Sequence, residues 1–362
     1  MKRLLALCLL PFLAMMVFTM SRSNASAQTS SPATADKPRV AFLIHGGAGV
    51  IRKGSMTPER EAEFRAGLAQ AVTEGYKVLQ SGGKSVDAVE RAIILLEDNP
   101  LFNAGKGAVF NSDGKNELDA SIMDGKSQAA GSVAGVRHIR NPISLARLVM
   151  EKSPHVMLAG DGAEEFAKTV GVELVDEKYF FTQQRWDDLQ RVKAQEAASR
   201  PGQPSARVHE NVGLSSDDPA QEPRNKYGTV GAVARDRDGN LAAGTSTGGM
   251  TNKKWDRIGD SPIIGAGTYA NNASCAVSAT GWGEYFIRVG VARDIAALVE
   301  YKGMPVQQAA DMVLKKVKDL GGDGGVICVD KSGNLGISFN TEGMYRAWMC
   351  EDGKVVVEIY QE

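Results

Sequence analysis

Little in this chain could hold a metal or a disulfide framework. Its 362 residues include four cysteines and four histidines. No CxxC pair occurs, and His45, His138, His155 and His209 are scattered, so a zinc or iron site has no ligand spacing to rest on. Cys8 lies in the apolar block near the start, which leaves Cys275, Cys328 and Cys350 downstream, an odd number that argues against a disulfide framework and for structural thiols. Excess charge is absent as well. A formal net charge of -1 gives no electrostatic case for nucleic acid or an anionic membrane surface. Only one stretch is apolar enough to suggest a membrane. Met1 to Ala27 (MKRLLALCLLPFLAMMVFTMSRSNASA) places Lys2 and Arg3 before an apolar block that closes on Ala25-Ser26-Ala27, the layout of a secretory signal at 1–27. The alternative, a membrane anchor, is disfavoured by Pro11 and by the shortness of the block. Export to the periplasm or medium is the expectation, with a flexible leader over Gln28 to Lys37 and no membrane contact once the signal is removed.

With 43% hydrophobic and 23% charged residues, the remainder reads as an ordinary globular protein with a sizeable core. Arg39 to Ile44 (RVAFLI) predicts a buried strand that stops at a tight HGGAG turn. Thr57-Pro58 predicts a helix start, with Phe64, Leu68, Ala71, Val72 and Val78 on its apolar side, and Ser85 opens a second helix that stops before Pro100. Helices are expected over Asn141 to Lys152, Gln183 to Ala198, Glu284 to Tyr301 and Pro305 to Leu320, with a strand over His155 to Ala159. Ser199 to Lys226 lacks periodicity and carries four prolines, so a linker is expected at about 199–228. From Thr229 a β-hairpin follows around an Asp-Gly turn, and short strands close the chain. This order suits layered α and β structure with antiparallel hairpins better than a doubly wound parallel sheet.

Several motifs invite a catalytic reading. Gly244-Thr245-Ser246-Thr247-Gly248 fits a GxSxG nucleophile elbow, with HGG as its apparent oxyanion loop, but no histidine follows the serine. HGGAGVIRKG lacks the spacing of a nucleotide-binding loop. Asp119 and Asp124, in ELDASIMDG, invite an acid-base reading, although turn and hydrogen-bond roles are commoner for such residues. Thr229, preceded by Gly228 and the linker, is different. If the bond before it were cut, the freed α-amine, with a pKa of about 7.7 to 8.0, would sit beside its own hydroxyl as a base. One residue would then supply both nucleophile and base.

The neighbourhood of Thr229 carries a family resemblance. YGTVGAVARDRDGNLAAGTSTGGMTNK, DRIGDSPIIGAGTYANN and SATGWGEYFIR are similar to the plant-type asparaginases, or isoaspartyl peptidases, among the N-terminal nucleophile hydrolases. HGGAG, NPLFNAGKGAVF, ELDASIMDG and RNPISLARLVMEKSPHVMLAG extend the match over nearly all of the chain outside the leader and linker. The resemblance implies an α+β, four-layer αββα sandwich, self-cleaved between Gly228 and Thr229 into chains 28–228 and 229–362 that form one domain. It implies Thr229 as nucleophile toward a small β-aspartyl substrate, asparagine or an isoaspartyl dipeptide. Thr247 then stands beside the nucleophile, and Thr280 with Gly281 forms the oxyanion hole. Arg257 takes the substrate α-carboxylate, while Asp260 and the Gly283 carbonyl take the α-ammonium. The backbone carbonyls of Leu96, Glu97, Asn99, Phe102, Ala104 and Lys106 would surround a sodium ion, with Lys106 where an apolar residue is usual. A homodimer of cleaved protomers is also implied. Two other readings stand beside this one: a glycosylasparaginase of the same fold, whose usual His-Asp pair before the threonine is missing here, and a non-catalytic periplasmic amino-acid-binding protein that would stay uncut.

Overall fold

A computed structural model describes residues 40–198 and 228–361. The signal, Cys8, the leader and the linker up to residue 227 lie outside the described residues. The first strand, β1 (Ala41–Gly49), shows how the layers form. Phe42 and Ile44 enter one apolar core and Ala41 and Leu43 another, because successive side chains of a strand leave opposite faces. A strand covered on both sides reads as a continuous apolar run, which is what RVAFLI shows. The expected turn at HGGAG is incorrect. The strand runs on through it, and the irregularity is a bulge between His45 and Gly47 in its pairing with the penultimate strand.

Two helices follow, α1 (Pro58–Gln80), capped by the Thr57 hydroxyl on the Arg60 amide, and α2 (Ser85–Glu97). The glycine-rich stretch after them, in which no element was expected, forms the hairpin β2 (Leu118–Asp124) and β3 (Ala130–Val136). Then come α3 (Pro142–Lys152), β4 (Met157–Ala159), α4 (Gly160–Thr169) and α5 (Gln183–Ala198). Past Thr229 lie β5 (Val230–Arg235), β6 (Leu241–Thr247), β7 (Thr268–Ala270) and β8 (Cys275–Gly281). The single helix expected over Glu284 to Tyr301 is two, α6 (Gly283–Val289) and α7 (Val291–Lys302), because Gly290 takes a left-handed conformation (φ 65°) that ends the first. α8 (Val306–Asp319) and the strands β9 (Gly324–Asp330), β10 (Leu335–Phe339), β11 (Gly343–Cys350) and β12 (Val355–Tyr360) complete the chain.

The strands form an eight-stranded sheet in the order β12-β11-β1-β5-β6-β2-β3-β4 and a four-stranded sheet in the order β10-β9-β8-β7. All pairings within them are antiparallel except β3 with β4. One core lies between α1 to α3 and the large sheet, a second between α6 to α8 and the small sheet, and a third between the two sheets. The result is an αββα sandwich. Cys275 and Cys328 are buried free thiols on the small sheet, and Cys350 is a half-buried free thiol at the end of β11.

Candidate active site

Strand alternation decides what faces the seam between the sheets. In β5, Val230, Ala232 and Ala234 point toward the helices and Val233 toward the seam, so Thr229 and Gly231 share the seam side. In β8, Cys275, Val277 and Ala279 enter the outer core and Ala276 the seam, which puts Ser278 and Thr280 there too. β2 and β6 pair with Asp119 opposite Thr247, and their seam residues include Asp119, Ser121, Thr245 and Thr247. Polar residues at inward positions of otherwise apolar strands therefore converge in one place.

Thr229 is buried, 6% exposed. Its hydroxyl donates to Thr247 Oγ1 at 3.1 Å, and Thr247 Oγ1 also accepts the Gly249 amide at 3.0 Å. The Thr229 amide reaches Thr280 Oγ1 at 3.4 Å, as does the Ala48 amide. Thr280 thus accepts twice and keeps its own O–H to give to a developing oxyanion. Gly47, with φ 112°, packs so closely that a Cβ there would lie 2.7 Å from the Gly228 Cα. Gly47 leaves room for the peptide before Thr229, and Gly46 leaves room for the Phe102 ring, which a Cβ there would meet at 2.5 Å.

The clamp residues also meet. A Cβ on Gly283 would lie 2.8 Å from both Arg257 Nη2 and Asp260 Oδ1, so only glycine leaves the two charged groups room. Asp260 is buried, its Oδ2 has no partner among the described residues, and burial pushes its carboxyl up to about 7 although Arg257 pulls the other way. The guanidinium of Arg257 forks onto Glu284 at 2.9 and 2.8 Å. The guanidinium is thus held in a fixed orientation by a partly exposed carboxylate.

In the Leu96 to Lys106 loop, a Cβ on Gly105 would lie 2.4 Å from the Glu97 carbonyl oxygen, and one on Gly107 would lie 2.0 Å from that of Phe102. Glycine at both positions lets the backbone of this loop fold closely on itself, with the Leu96, Asn99, Phe102 and Ala104 carbonyls accepting the Asn99, Phe102, Ala104 and Gly107 amides. Lys106 carries its ammonium over the Tyr179 ring, 5.6 Å from the centroid.

The set-aside motifs have other work. Ser246 turns toward the helices and donates to Glu97 Oε1 at 2.6 Å, so it is no nucleophile for the seam. Asp124 caps its own turn through Lys126 and Ser127. Asp119 accepts the Gly135 amide at 2.8 Å from within the seam. Sequence reasoning missed Asn103, whose Nδ2 donates to the Gly249 carbonyl at 2.8 Å, whose carbonyl accepts the Gly248 amide at 3.2 Å, and which borders Gly228. The only signal for it was an asparagine among the glycines of FNAGKG. His45 and Ser278 were missed as well, since one stood in an expected turn and the other in an apolar run.

The chain is similar to known proteins over most of its length. The family described as Asparaginase matches residues 38–359. The isoaspartyl peptidase of Escherichia coli (strain K12) is 50% identical over 325 residues, covering 90% of this chain and 97% of that protein. That of Salmonella typhimurium (strain LT2) is 49% identical over 325 residues, with 90% and 99% covered. The isoaspartyl peptidase/L-asparaginase of Rattus norvegicus is 43% identical over 321 residues, with 87% and 88% covered.

Proposed function

This chain belongs to the asparaginase family of N-terminal nucleophile hydrolases and is an enzyme, and from that premise we propose that it hydrolyses β-aspartyl amide bonds after cutting itself between Gly228 and Thr229. The observation that carries the reading is the placing of Thr229, with Thr247 on its hydroxyl and Thr280 on its amide, at the seam where the Gly228–Thr229 peptide is pressed by Gly47.

In the uncut chain the Thr229 hydroxyl adds to the Gly228 carbonyl carbon. The C–N bond breaks, the freed nitrogen takes the hydroxyl proton, and water hydrolyses the resulting ester. The α-amine so released then accepts the hydroxyl proton as Thr229 attacks the substrate β-carbonyl. Thr280 and the Gly281 backbone meet the oxyanion, a contribution of about 2.7 to 4 kcal/mol per donor. The leaving nitrogen takes the proton, and water releases L-aspartate from the β-aspartyl ester. Arg257 receives the α-carboxylate, and Asp260 with the Gly283 carbonyl receives the α-ammonium. Asparagine and isoaspartyl dipeptides share these groups, so both are substrates in this reading.

Three further proposals rest on the sequence pattern. Residues 1–27 direct export and are removed, the loop carbonyls of Leu96, Glu97, Asn99, Phe102, Ala104 and Lys106 hold a structural sodium ion, and cleaved protomers pair. The test of function is aspartate release from L-asparagine and from a β-aspartyl dipeptide by the purified protein, beside Thr229→Ala. Release by the first and none by the variant is expected. Release at an equal rate by both would remove Thr229 from the chemistry.

A further inference from the structure

Behind Thr229 a line of buried polar groups crosses the seam several times. The His45 ring lies with Nδ1 2.9 Å from the Thr229 carbonyl oxygen and Nε2 2.9 Å from Ser278 Oγ. Ser278 Oγ is 2.7 Å from Thr245 Oγ1, Thr245 Oγ1 is 2.6 Å from Thr268 Oγ1, and Thr268 Oγ1 is 2.8 Å from Ser121 Oγ. Ser121 ends the line 2.6 Å from the carbonyl of Ser261, the residue after Asp260 of the clamp. His45, Thr245 and Ser121 stand on the large sheet and Ser278 and Thr268 on the small one. All five are fully buried. Gly231 makes the passage possible, since a Cβ there would lie 2.0 Å from Ser278 Oγ and 2.5 Å from His45 Nε2.

The tautomer of His45 follows from its two neighbours. A carbonyl oxygen only accepts, so Nδ1 must carry hydrogen to bond Thr229. Burial pushes the imidazole down to about 3, with the Thr229 bond opposing it, so the ring has one N–H and Nε2 is bare. Nε2 then needs a donor, and Ser278 stands there. Each hydroxyl has a single proton. Thr268 donates to Thr245 and Ser121 to Thr268 and the Ser261 carbonyl, while Ser278 and Thr245, 2.7 Å apart, also have the Gly244 and Gly267 carbonyls as acceptors, each at 3.0 Å. The His45 ring thus donates to the Thr229 carbonyl through Nδ1 and turns Nε2 to the Ser278 hydroxyl.

We propose that His45, fixed as its Nδ1-protonated tautomer between the Thr229 carbonyl and the Ser278 hydroxyl, is a positioning residue that holds Thr229 in attacking geometry. The proposal rests on Thr229 being the freed nucleophile. Cutting the Gly228–Thr229 bond removes the anchor on the amino side of Thr229. The residue is then held by its hydroxyl on Thr247, by the contact of its nitrogen with Thr280, by its place at the head of β5 and by the His45 bond to its carbonyl. His45 touches no reacting atom, so its loss misplaces the nucleophile and leaves the Arg257–Asp260 clamp in place.

The test combines kinetics with nitrogen-15 NMR. With L-asparagine, and with rates expressed per mole of cleaved protein, His45→Ala is expected to lower kcat about 10- to 100-fold, the scale of a misplaced reacting group, with KM within about 2-fold of wild type. His45→Asn places an amide N–H where Nδ1 stood, and its kcat should recover to within about 5-fold of wild type, as expected if the donor is what matters. Wild-type kcat in His45→Ala, or equal losses in both variants, would overturn the proposal. Independently of any core variant, wild-type protein labelled at its four histidines should show one ring, assigned by substituting the other three, with the Nδ1–H signature unchanged from about pH 5 to 8, since it lies outside the usual histidine range. An Nε2–H tautomer, or titration within that range, would overturn it too. Activity in Thr229→Ala would strike the underlying reading instead and is read separately.

Discussion

At the scale of the residue, the site works by making ordinary groups wait in costly positions. Asp260 is the clearest case. Buried with an oxygen that has no partner among the described residues, its carboxyl is pushed up to about 7, yet the α-ammonium that the proposed function brings to it calls for the carboxylate. Binding therefore expels a proton, and affinity must rise with pH until the free carboxyl has ionised. KM for L-asparagine is expected to climb as pH falls from about 8 to 6, and Asp260→Asn should raise KM at every pH while removing that dependence. Steady-state kinetics across this range, repeated with the analogue lacking the α-amino group, checks it. The analogue's KM should be nearly flat with pH, because it brings no ammonium. The same logic separates this group from the Thr229 amine, whose deprotonation is needed for turnover whichever substrate is bound.

At the scale of the element, the strands were legible where burial was complete and obscure where glycine and polar residues served the seam. RVAFLI announced β1, but HGGAG looked like a turn although the bulged strand continues through it, because the pairing that holds it comes from β11, about 300 residues later. ELDASIMDG and AGSVAGV looked irregular because their small and polar residues face a neighbouring sheet and helix that no local pattern reveals. The Thr57-Pro58 helix start was plain, since capping is local. Thr229 stood out by its place after Gly228 and the linker, whereas Thr247, Thr280, Gly281, Arg257, Asp260 and Gly283 were named through family resemblance. Their own spacing would have placed each on a loop or strand without joining them. Gly231 shows how an element depends on a contact invisible in sequence. Gly231→Ala puts a methyl into Ser278 and His45 and is expected to destabilise the protein by about 3 kcal/mol, the upper part of the range for overpacked cores. A urea midpoint unchanged from wild type would mean that β5 can shift and that the seam is looser than its hydrogen bonds suggest.

At the scale of the whole molecule, the order of strands explains why a protein can cut its own chain and stay folded. In the large sheet, β1 lies between β11 and β5, and β2 pairs with β6, so strands from before and after Gly228 alternate across the seam of the proposed cut. The small sheet comes wholly from the second piece and packs on strands of both. Separating the pieces would open cores on either side of the large sheet, so the cut frees a terminus without freeing a chain. The measurement that bears most directly on this account is intact mass and N-terminal sequencing of the purified, signal-less protein after incubation at neutral pH. Two pieces that elute together, the smaller beginning Thr-Val-Gly-Ala, are the predicted result. A single uncut chain that still released aspartate from asparagine would contradict it, because Thr229 would then have no free amine and could not be the nucleophile described.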